Sequence, residues 1–160
     1  KVYKLRADAF QMGFLKVLKG TAMASMKREY GIVFRDKAPY EIISNRWIDS
    51  GQMIRLKSIE KMLNIYYNRG GFHNTLDYMI NALQTEPFDF FERLADFYFE
   101  SGYHHVNRKK EDQYRIMRKF ALGKSQDIEL EAIEEALLKD LSEAFNPEEV
   151  RRFLKKGWEI

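Results

Sequence analysis

Two adjacent tyrosines and an asparagine are the side chains in this sequence whose types and spacing best suit contact with a substrate. Tyr66, Tyr67 and Asn68 close a segment in which apolar residues recur at helical spacing. Because neighbouring residues on an α-helix point about 100° apart, at most one of the two tyrosines can lie deep in a core. The other is either a boundary residue with an apolar body and a polar tip, or a hydroxyl presented to a cleft. We therefore take all three residues as substrate-facing candidates.

The three histidines of the chain offer less chemistry than their side chains would allow. His73 precedes a predicted helix start at Asn74, where it caps the helix, lies in solvent or binds an anion, and it joins the substrate-facing candidates. His104 and His105 are adjacent, whereas metal ligands on a helix favour spacings of three or four residues. No nearby carboxylate completes a ligand set, so we interpret both as loop histidines. The sequence predicts no metal site and no catalytic residue.

Basic residues form two groups that could contact phosphates. Lys16 and Lys19 in the first group, and Tyr40 in a later β-type segment, complete the substrate-facing candidates. The second group is accompanied by aromatic residues that could stack on RNA bases; it comprises Arg108, Lys109, Lys110, Arg115, Arg118 and Lys119. Acidic residues soon follow, and the net charge is only +3, which favours a solvated basic face over a nucleic-acid partner.

The composition limits which cofactors this chain can hold. It has 160 residues, 45% of them hydrophobic, which fits one domain with its own core. The absence of cysteine excludes disulfides, thiolate zinc sites and cysteine-ligated iron–sulfur clusters within this chain, and it fits a reducing cytoplasm. No apolar run approaches the roughly 20 residues of a membrane helix, and no phosphate-binding loop or nucleophile elbow is present. We expect a cytoplasmic protein without a membrane partner.

Apolar periodicity and turn signals predict a mainly α-helical fold, a multi-helix domain with a short β-hairpin near the N-terminus. Residues 22–30 form a short helix that a left-handed Gly31 ends, and residues 32–34 and 40–43 form the hairpin. From Ser50, an N-cap, the chain is helical. Starts or breaks divide this region at Gly70-Gly71, at Asn74 or Thr75, at Pro87, at Ser101-Gly102, at Gly123-Lys124-Ser125 and at Asn146-Pro147.

Two segments carry more large apolar residues than a single core-facing stripe needs. Phe10–Leu18 is strand-like, and the helix through Phe88–Phe99 places aromatics on more than one face. The surplus either thickens the core or forms a surface that meets a partner. An isolated strand exposes an unpaired edge. The segment Phe10–Leu18 therefore either pairs with another copy, packs on the helices or turns helical. We expect an exposed apolar patch and a chain that forms a homodimer or aggregates.

Several short stretches, in their order and spacing, resemble one known family of proteins. They are FQMGFLKVLKGT at 10–21, APYE at 38–41, Trp47, RLKSIE at 55–60, YYN at 66–68, GFHNTL at 71–76 and PFDFF at 87–91. The first resembles the last strand of a radical S-adenosylmethionine (SAM) barrel, in the branch that also binds cobalamin. The others resemble the uncharacterised C-terminal domain of those proteins. The resemblance extends over residues 8–145.

The resemblance implies two parts, a remnant of the preceding radical SAM barrel in residues 1–21 and a helical accessory domain in residues 22–160. The parent enzyme would hold a four-iron cluster on a Cys-x-x-x-Cys-x-x-Cys motif, SAM and cobalamin. This chain has none of those cysteines, so we expect no cofactor in it. It begins at Lys1 without a methionine, and we expect it to be an excised piece of the parent.

The function that the resemblance implies is that of a non-catalytic accessory domain, which covers the barrel mouth and adds substrate contacts. Its partners would be the parent's own upstream barrel and cobalamin domains. Relatives indicate methyl transfer or oxidative ring closure as the parent's reaction, by analogy of fold alone. The alternative is a helical RNA-binding or protein-docking domain without an enzymatic parent.

Overall fold

The computed structural model describes residues 2–124 and 128–159 and is mainly α-helical. Seven α-helices and one two-stranded antiparallel hairpin lie within these residues, which confirms the predicted fold class. The chain divides into two compact units. The small unit is Gln11–Glu60, and the helical unit combines Lys1–Phe10 with Lys61–Ile160. The predicted break at residues 123–125 reaches Ser125, which lies outside the described residues.

The small unit is built around the predicted hairpin. The helix predicted over residues 22–30 is shorter in the structure: α1 spans only Ala22–Ser25, and turns continue to Gly31, whose φ of +59° is the left-handed conformation expected of it. Strand β1 (Val33–Phe34) then pairs antiparallel with β2 (Ile42–Ser44). The buried core of the unit consists of Val17, Ile32, Ile42 and Met53.

The strand-like segment before α1 pairs with this hairpin. Lys16 forms an antiparallel bridge with Glu41. The N–H of Val17 donates to the carbonyl of Tyr40 at 2.8 Å, and the N–H of Ile42 donates to the carbonyl of Leu15 at 2.9 Å. The segment therefore neither turns helical nor stays unpaired, because the exposed edge of its own chain's hairpin satisfies its backbone groups.

Helix α2 (Ser50–Leu63) begins one residue earlier than we predicted. Ser50 is its first residue, and the N-cap is Asp49. The Asp49 carboxylate accepts the N–H of Gln52 at 2.8 Å, while the Gln52 side chain accepts the N–H of Asp49 at 3.0 Å. This reciprocal pair is a capping box that satisfies two backbone donors at the start of the helix.

A π-helical turn, Asn64–Asn68, continues α2 and carries the tyrosine pair. The N–H of Arg69 donates to the carbonyl of Asn64 at 3.1 Å, five residues back. Gly70 and Gly71 then end the helix with φ of +68° and +87°, as the sequence predicted. Such π-helical turns are rare and recur at functional sites, so the turn marks this end of α2 for closer inspection.

The helical unit continues with five helices, of which α6 contacts three others. The five helices are α3 (His73–Ala82), α4 (Pro87–Glu100), α5 (Lys110–Leu122), α6 (Leu130–Ala144) and α7 (Pro147–Lys156). Helix α6 contacts α3, α5 and α7, and α4 contacts a 3₁₀ turn at Tyr103–His105. The predicted starts at Pro87 and Asn146 are confirmed; Asn146 forms a capping box with Glu149.

Aromatic side chains of α4 lie on more than one face of the helix, as the sequence predicted. Phe90, Phe91, Leu94 and Tyr98 are buried, whereas Phe88 is 48% exposed and Phe99 is 69% exposed.

Candidate functional site

Both tyrosines at the end of α2 are buried, contrary to the prediction that at most one could be. Tyr66 is fully buried within the helical unit, and Tyr67 is 4% exposed. The prediction considered only the helix itself. In the structure residues 3–10, which we call the N-terminal strap, fold back over Tyr67. Phe10 stacks on the Tyr67 ring at 4.7 Å, and Tyr3 lies 5.6 Å from it.

The hydroxyl of Tyr66 lies in a closed hydrogen-bond network. It is 2.6 Å from the hydroxyl of Tyr98 and donates to the carbonyl of Gln113 at 3.2 Å. Burial raises the pKa of Tyr66 well above its usual value, and the neighbouring Tyr98 raises it further. Burial likewise raises the pKa of Tyr98 to about 12. Both hydroxyls are neutral at physiological pH and bond to each other inside the helical unit.

Tyr67 and Asn68 hold the N-terminal strap. The Tyr67 hydroxyl donates to the carbonyl of Ala7 at 2.6 Å. The Asn68 amide bonds to both backbone groups of Phe10: its oxygen accepts the N–H at 2.8 Å, and its nitrogen donates to the carbonyl at 2.7 Å. A side-chain amide carries one acceptor oxygen and two donor hydrogens. It can therefore bond to the N–H and the carbonyl of one residue, as the backbone of a neighbouring β-strand does. We call Tyr67 and Asn68 the strap clamp.

An ion pair fixes the strap at a second point, on α3. The Arg6 guanidinium donates to the Asp77 carboxylate at 2.8 Å, and the Tyr3 hydroxyl approaches the other carboxylate oxygen at 3.5 Å. Burial, followed by the Asp77 charge, raises the pKa of Tyr3. Arg6 is 63% exposed, so the pair orients the strap more than it stabilises the fold.

His73 is exposed and forms the first residue of α3, with its ring 6.1 Å from that of Tyr67. The predicted caps of this helix, Asn74 and Thr75, are instead the donors. Asp140 of α6 accepts the N–H of Asn74 at 3.0 Å and that of Thr75 at 2.8 Å. The sequence of α3 does not predict this cap, because the carboxylate comes from another helix.

The Asp140 cap belongs to a compact polar cluster. The Tyr114 hydroxyl donates to the carbonyl of Gly71 at 2.7 Å and approaches the carbonyl of Asp140 at 3.3 Å. Gly71 has a φ of +87°, and an added Cβ would lie 2.9 Å from both the Tyr114 hydroxyl and the Lys110 ammonium. Only glycine fits there. Burial raises the pKa of Tyr114, and the charge of Asp140 raises it further. The Tyr114 hydroxyl is therefore neutral, and its hydrogen bonds connect the turn at Gly71 to α6.

The remaining candidates lie in the small unit. Lys16 and Lys19 are exposed, and Lys16 contributes its backbone to the bridge with Glu41. Tyr40 is half-buried, with a φ of +58° in the hairpin turn. The structure thus distributes the predicted substrate-facing residues between the two units: these three in the small unit, and Tyr66, Tyr67, Asn68 and His73 in the helical unit.

The second basic group is only in part the solvated face that we predicted: Lys109 and Lys119 are exposed, but two of its arginines turn inward. Arg115 is buried; it donates to the carbonyl of Gly157 at 3.0 Å and lies over the Phe153 ring at 4.4 Å. Arg118 forms an ion pair with Glu134 at 2.5 Å. Charge runs alone do not reveal such contacts, because aromatic partners on α7 and acidic partners on α6 attract the cations inward.

The described residues offer no set of ligands for a metal or cluster. Within residues 2–124 and 128–159, His, Asp and Glu side chains nowhere gather in a group of three that could coordinate a metal ion. The full sequence has no cysteine, so its side chains do not fit an iron–sulfur cluster. Each helix in the same residues is too short or too polar to cross a lipid bilayer.

Comparison with known protein families identifies one relationship. Curated proteins and solved structures give no match. A family model described as "Protein of unknown function (DUF4080)" matches residues 28–159, a span that includes β1, β2, the strap clamp and the Asp140 cap. Because this match covers most of the chain, the protein belongs to the DUF4080 family.

Proposed function

We propose that this chain is the accessory domain of a cobalamin-dependent radical SAM enzyme, which covers the mouth of the parent's barrel and does no chemistry itself. The resemblance of residues 10–21 to a barrel strand supports this assignment. The family match over residues 28–159 begins seven residues after Thr21, the end of that stretch, as an appended domain would. In the parent, the four-iron cluster, SAM and cobalamin would be held by the upstream domains.

The observation that carries the proposal is that the best polar candidates bind the chain's own backbone. The Tyr67 hydroxyl and the Asn68 amide bond to the backbone of residues 7 and 10, and the Tyr66 hydroxyl bonds to the carbonyl of Gln113. A group already satisfied in this way would have to break a bond to act as an acid or base. The strap clamp instead fixes the backbone immediately before the strand-like segment, which suits a domain held at a set position on its parent.

Exposed apolar side chains of the small unit support a partner-facing role. Leu18 is 51% exposed, Trp47 65% and Ile54 67%, and Leu15 and Val33 are exposed as well. Burying about 500 Å² of such surface would contribute on the order of 12 kcal/mol before the costs of association. A surface rich in exposed apolar side chains suits contact with a protein partner, and we propose the upstream barrel as that partner.

The first test is the protein encoded by the complete reading frame that contains these residues. We expect a three-cysteine motif upstream and, after anaerobic reconstitution with iron and sulfide, the electron paramagnetic resonance signal of a reduced four-iron cluster. The matched control replaces the three cysteines with alanine and should lose the signal. A reading frame without that motif would refute the proposal that the parent is a radical SAM enzyme.

A nucleic-acid-docking role is the second candidate, and one feature of the small unit favours it. Trp47 stacks near Tyr30 at 5.8 Å, and the Arg46 guanidinium lies 5.6 Å from the Trp47 ring. Exposed aromatics beside cations can stack on unpaired bases. RNA binding that weakens steeply with salt, and that Trp47→Ala removes, would favour this role; the accessory-domain proposal predicts no such binding.

A further inference from the structure

A cleft of the helical unit lies beside the strap, at the end of α3. It has a volume of about 630 Å³ and is walled by Tyr3, Lys4 and Arg6 of the strap region and by Asp77, Ile80 and Asn81 of α3. The turn into α4 completes it with Gln84, Thr85, Glu86 and Pro87. Its size lies within the range of small-molecule sites. None of the substrate-facing candidates lines it.

Several exposed polar side chains line this cleft without bonding to other described residues. Among the described residues, the side chains of Lys4, Asn81, Gln84 and Glu86 have no hydrogen-bond or ion-pair partner. Arg6 and Asp77 are already paired with each other. The cleft therefore presents one free cation, Lys4, and one free carboxylate, Glu86, with two free amides in the same wall.

The backbone around the cleft adopts conformations that side chains rarely accept. Within residues 2–124 and 128–159, three non-glycine residues have positive φ, and two of them, Arg6 at +52° and Gln84 at +46°, line this cleft. Gln84 follows α3 in a Schellman motif: its N–H donates to Asn81 at 3.1 Å, and that of Thr85 donates to Ile80 at 3.2 Å. Glycine is the usual residue at this position. Gln84 adopts this conformation at a steric cost, and strained residues of this kind cluster at ligand-binding sites.

We propose that this cleft binds a small zwitterionic ligand, with Glu86 bonding its ammonium group and Lys4 its carboxylate. The charges of the wall, Lys4 and Arg6 against Asp77 and Glu86, cancel, which disfavours a polyanion such as a nucleotide. A ligand with one charge would leave the opposite free group unpaired. Ile80 and Pro87 supply apolar surface for the carbon skeleton, and the amides of Asn81 and Gln84 can bond to either end.

Two sources share this chemistry, a free α-amino acid and a short peptide with both termini free. They differ in the span between their charges, because each added residue lengthens an extended chain by about 3.3–3.6 Å. Titration of the ¹⁵N-labelled chain with L-glutamine and, separately, with triglycine distinguishes them. We expect one of the two to shift the amide signals of Gln84 and Thr85 with a Kd below about 10 mM, a weak affinity typical of an exposed site.

Single-charge probes and matched variants complete the test. Acetate and methylammonium should bind at least about tenfold more weakly, and Lys4→Gln and Glu86→Gln should each weaken the zwitterion about tenfold, as expected for losing a charge-assisted bond. The controls Lys139→Gln and Glu135→Gln change the same charges on the exposed face of α6 and should have no effect. Absence of binding by both zwitterions, equal binding of acetate, or indifference to both cleft variants would overturn the proposal. This inference does not depend on the radical SAM parent.

Discussion

Replacing Asp140 with alanine tests how the helical unit is held together. Asp140 is fully buried on α6, and its two carboxylate oxygens accept the N–H groups of Asn74 and Thr75 at 3.0 and 2.8 Å. Donors in the first turn of a helix have no partner within the helix. The carboxylate therefore satisfies two such donors of α3, and a third bond joins it to the Asn74 side chain at 2.8 Å.

The expected cost follows from the burial of those donors. A buried donor left without a partner costs about 1–3 kcal/mol, so two would cost about 2–6 kcal/mol. Asn74 is half-buried and water can reach it after the substitution, whereas Thr75 is fully buried. We therefore expect Asp140→Ala to lower the free energy of unfolding by about 3 kcal/mol, or the Tm by roughly 6–12 °C for a chain of this length.

The matched control is Asn146→Ala, which also removes a side-chain cap with two backbone bonds. Asn146 accepts the N–H groups of Glu148 and Glu149 at 3.1 and 3.0 Å, but at an exposed helix start. Water replaces this cap, so we expect a loss of about 1 kcal/mol.

Urea unfolding measured by tryptophan fluorescence can isolate the helical unit. The chain has two tryptophans, and Trp47→Phe leaves Trp158, which packs on Phe153 at 5.1 Å, as the only reporter. If Asp140→Ala and Asn146→Ala cost the same in this background, burial does not strengthen the α6-to-α3 cap and our reasoning fails.

Three further outcomes are expected. Asn68→Ala removes both bonds to Phe10, so the Phe10 amide should exchange hydrogen roughly 5–30-fold faster, corresponding to about 1–2 kcal/mol; unchanged exchange would show that the strap holds without its clamp. Because the folded state raises the pKa of Tyr98 to about 12, stability should be complete below about pH 10 and decline as the pH rises toward 12, measured by urea unfolding across that range. Leu18→Glu should reduce self-association in sedimentation velocity while leaving the helical circular dichroism unchanged; an identical association constant would mean that the exposed Leu18 is not part of a contact between copies.

Local signals in the sequence predicted the elements of this fold well. Gly31, Pro87 and Asn146 each act within a few residues of their position, through a left-handed φ, a fixed φ and a side-chain cap. The cap of α3 could not be predicted from its own sequence, since it comes from a residue 66 positions away. One signal for it exists: Asp140 interrupts the apolar stripe of α6 formed by Ile133, Leu137 and Leu141.

The candidate site was harder to predict, because the burial of its side chains depends on segments that are distant in the sequence. The spacing of Tyr66 and Tyr67 predicts that their side chains point in different directions, and in the structure they contact different segments. It does not predict that the strap covers Tyr67. Similarly, Phe14 was expected to lie on an exposed patch, whereas it packs on the buried core of the small unit. Helical periodicity carries no information about which distant segment will cover a face.

The most direct measurement of the central claim is the formation of 5′-deoxyadenosine from SAM under reducing, anaerobic conditions. Three proteins should be compared: the product of the complete reading frame, the same product truncated after residue 21, and the present chain alone. We predict 5′-deoxyadenosine from the first two and none above the blank from the third. SAM cleavage by this chain alone, or none by the complete product with its cluster in place, would contradict the assignment of a non-catalytic domain on a radical SAM parent.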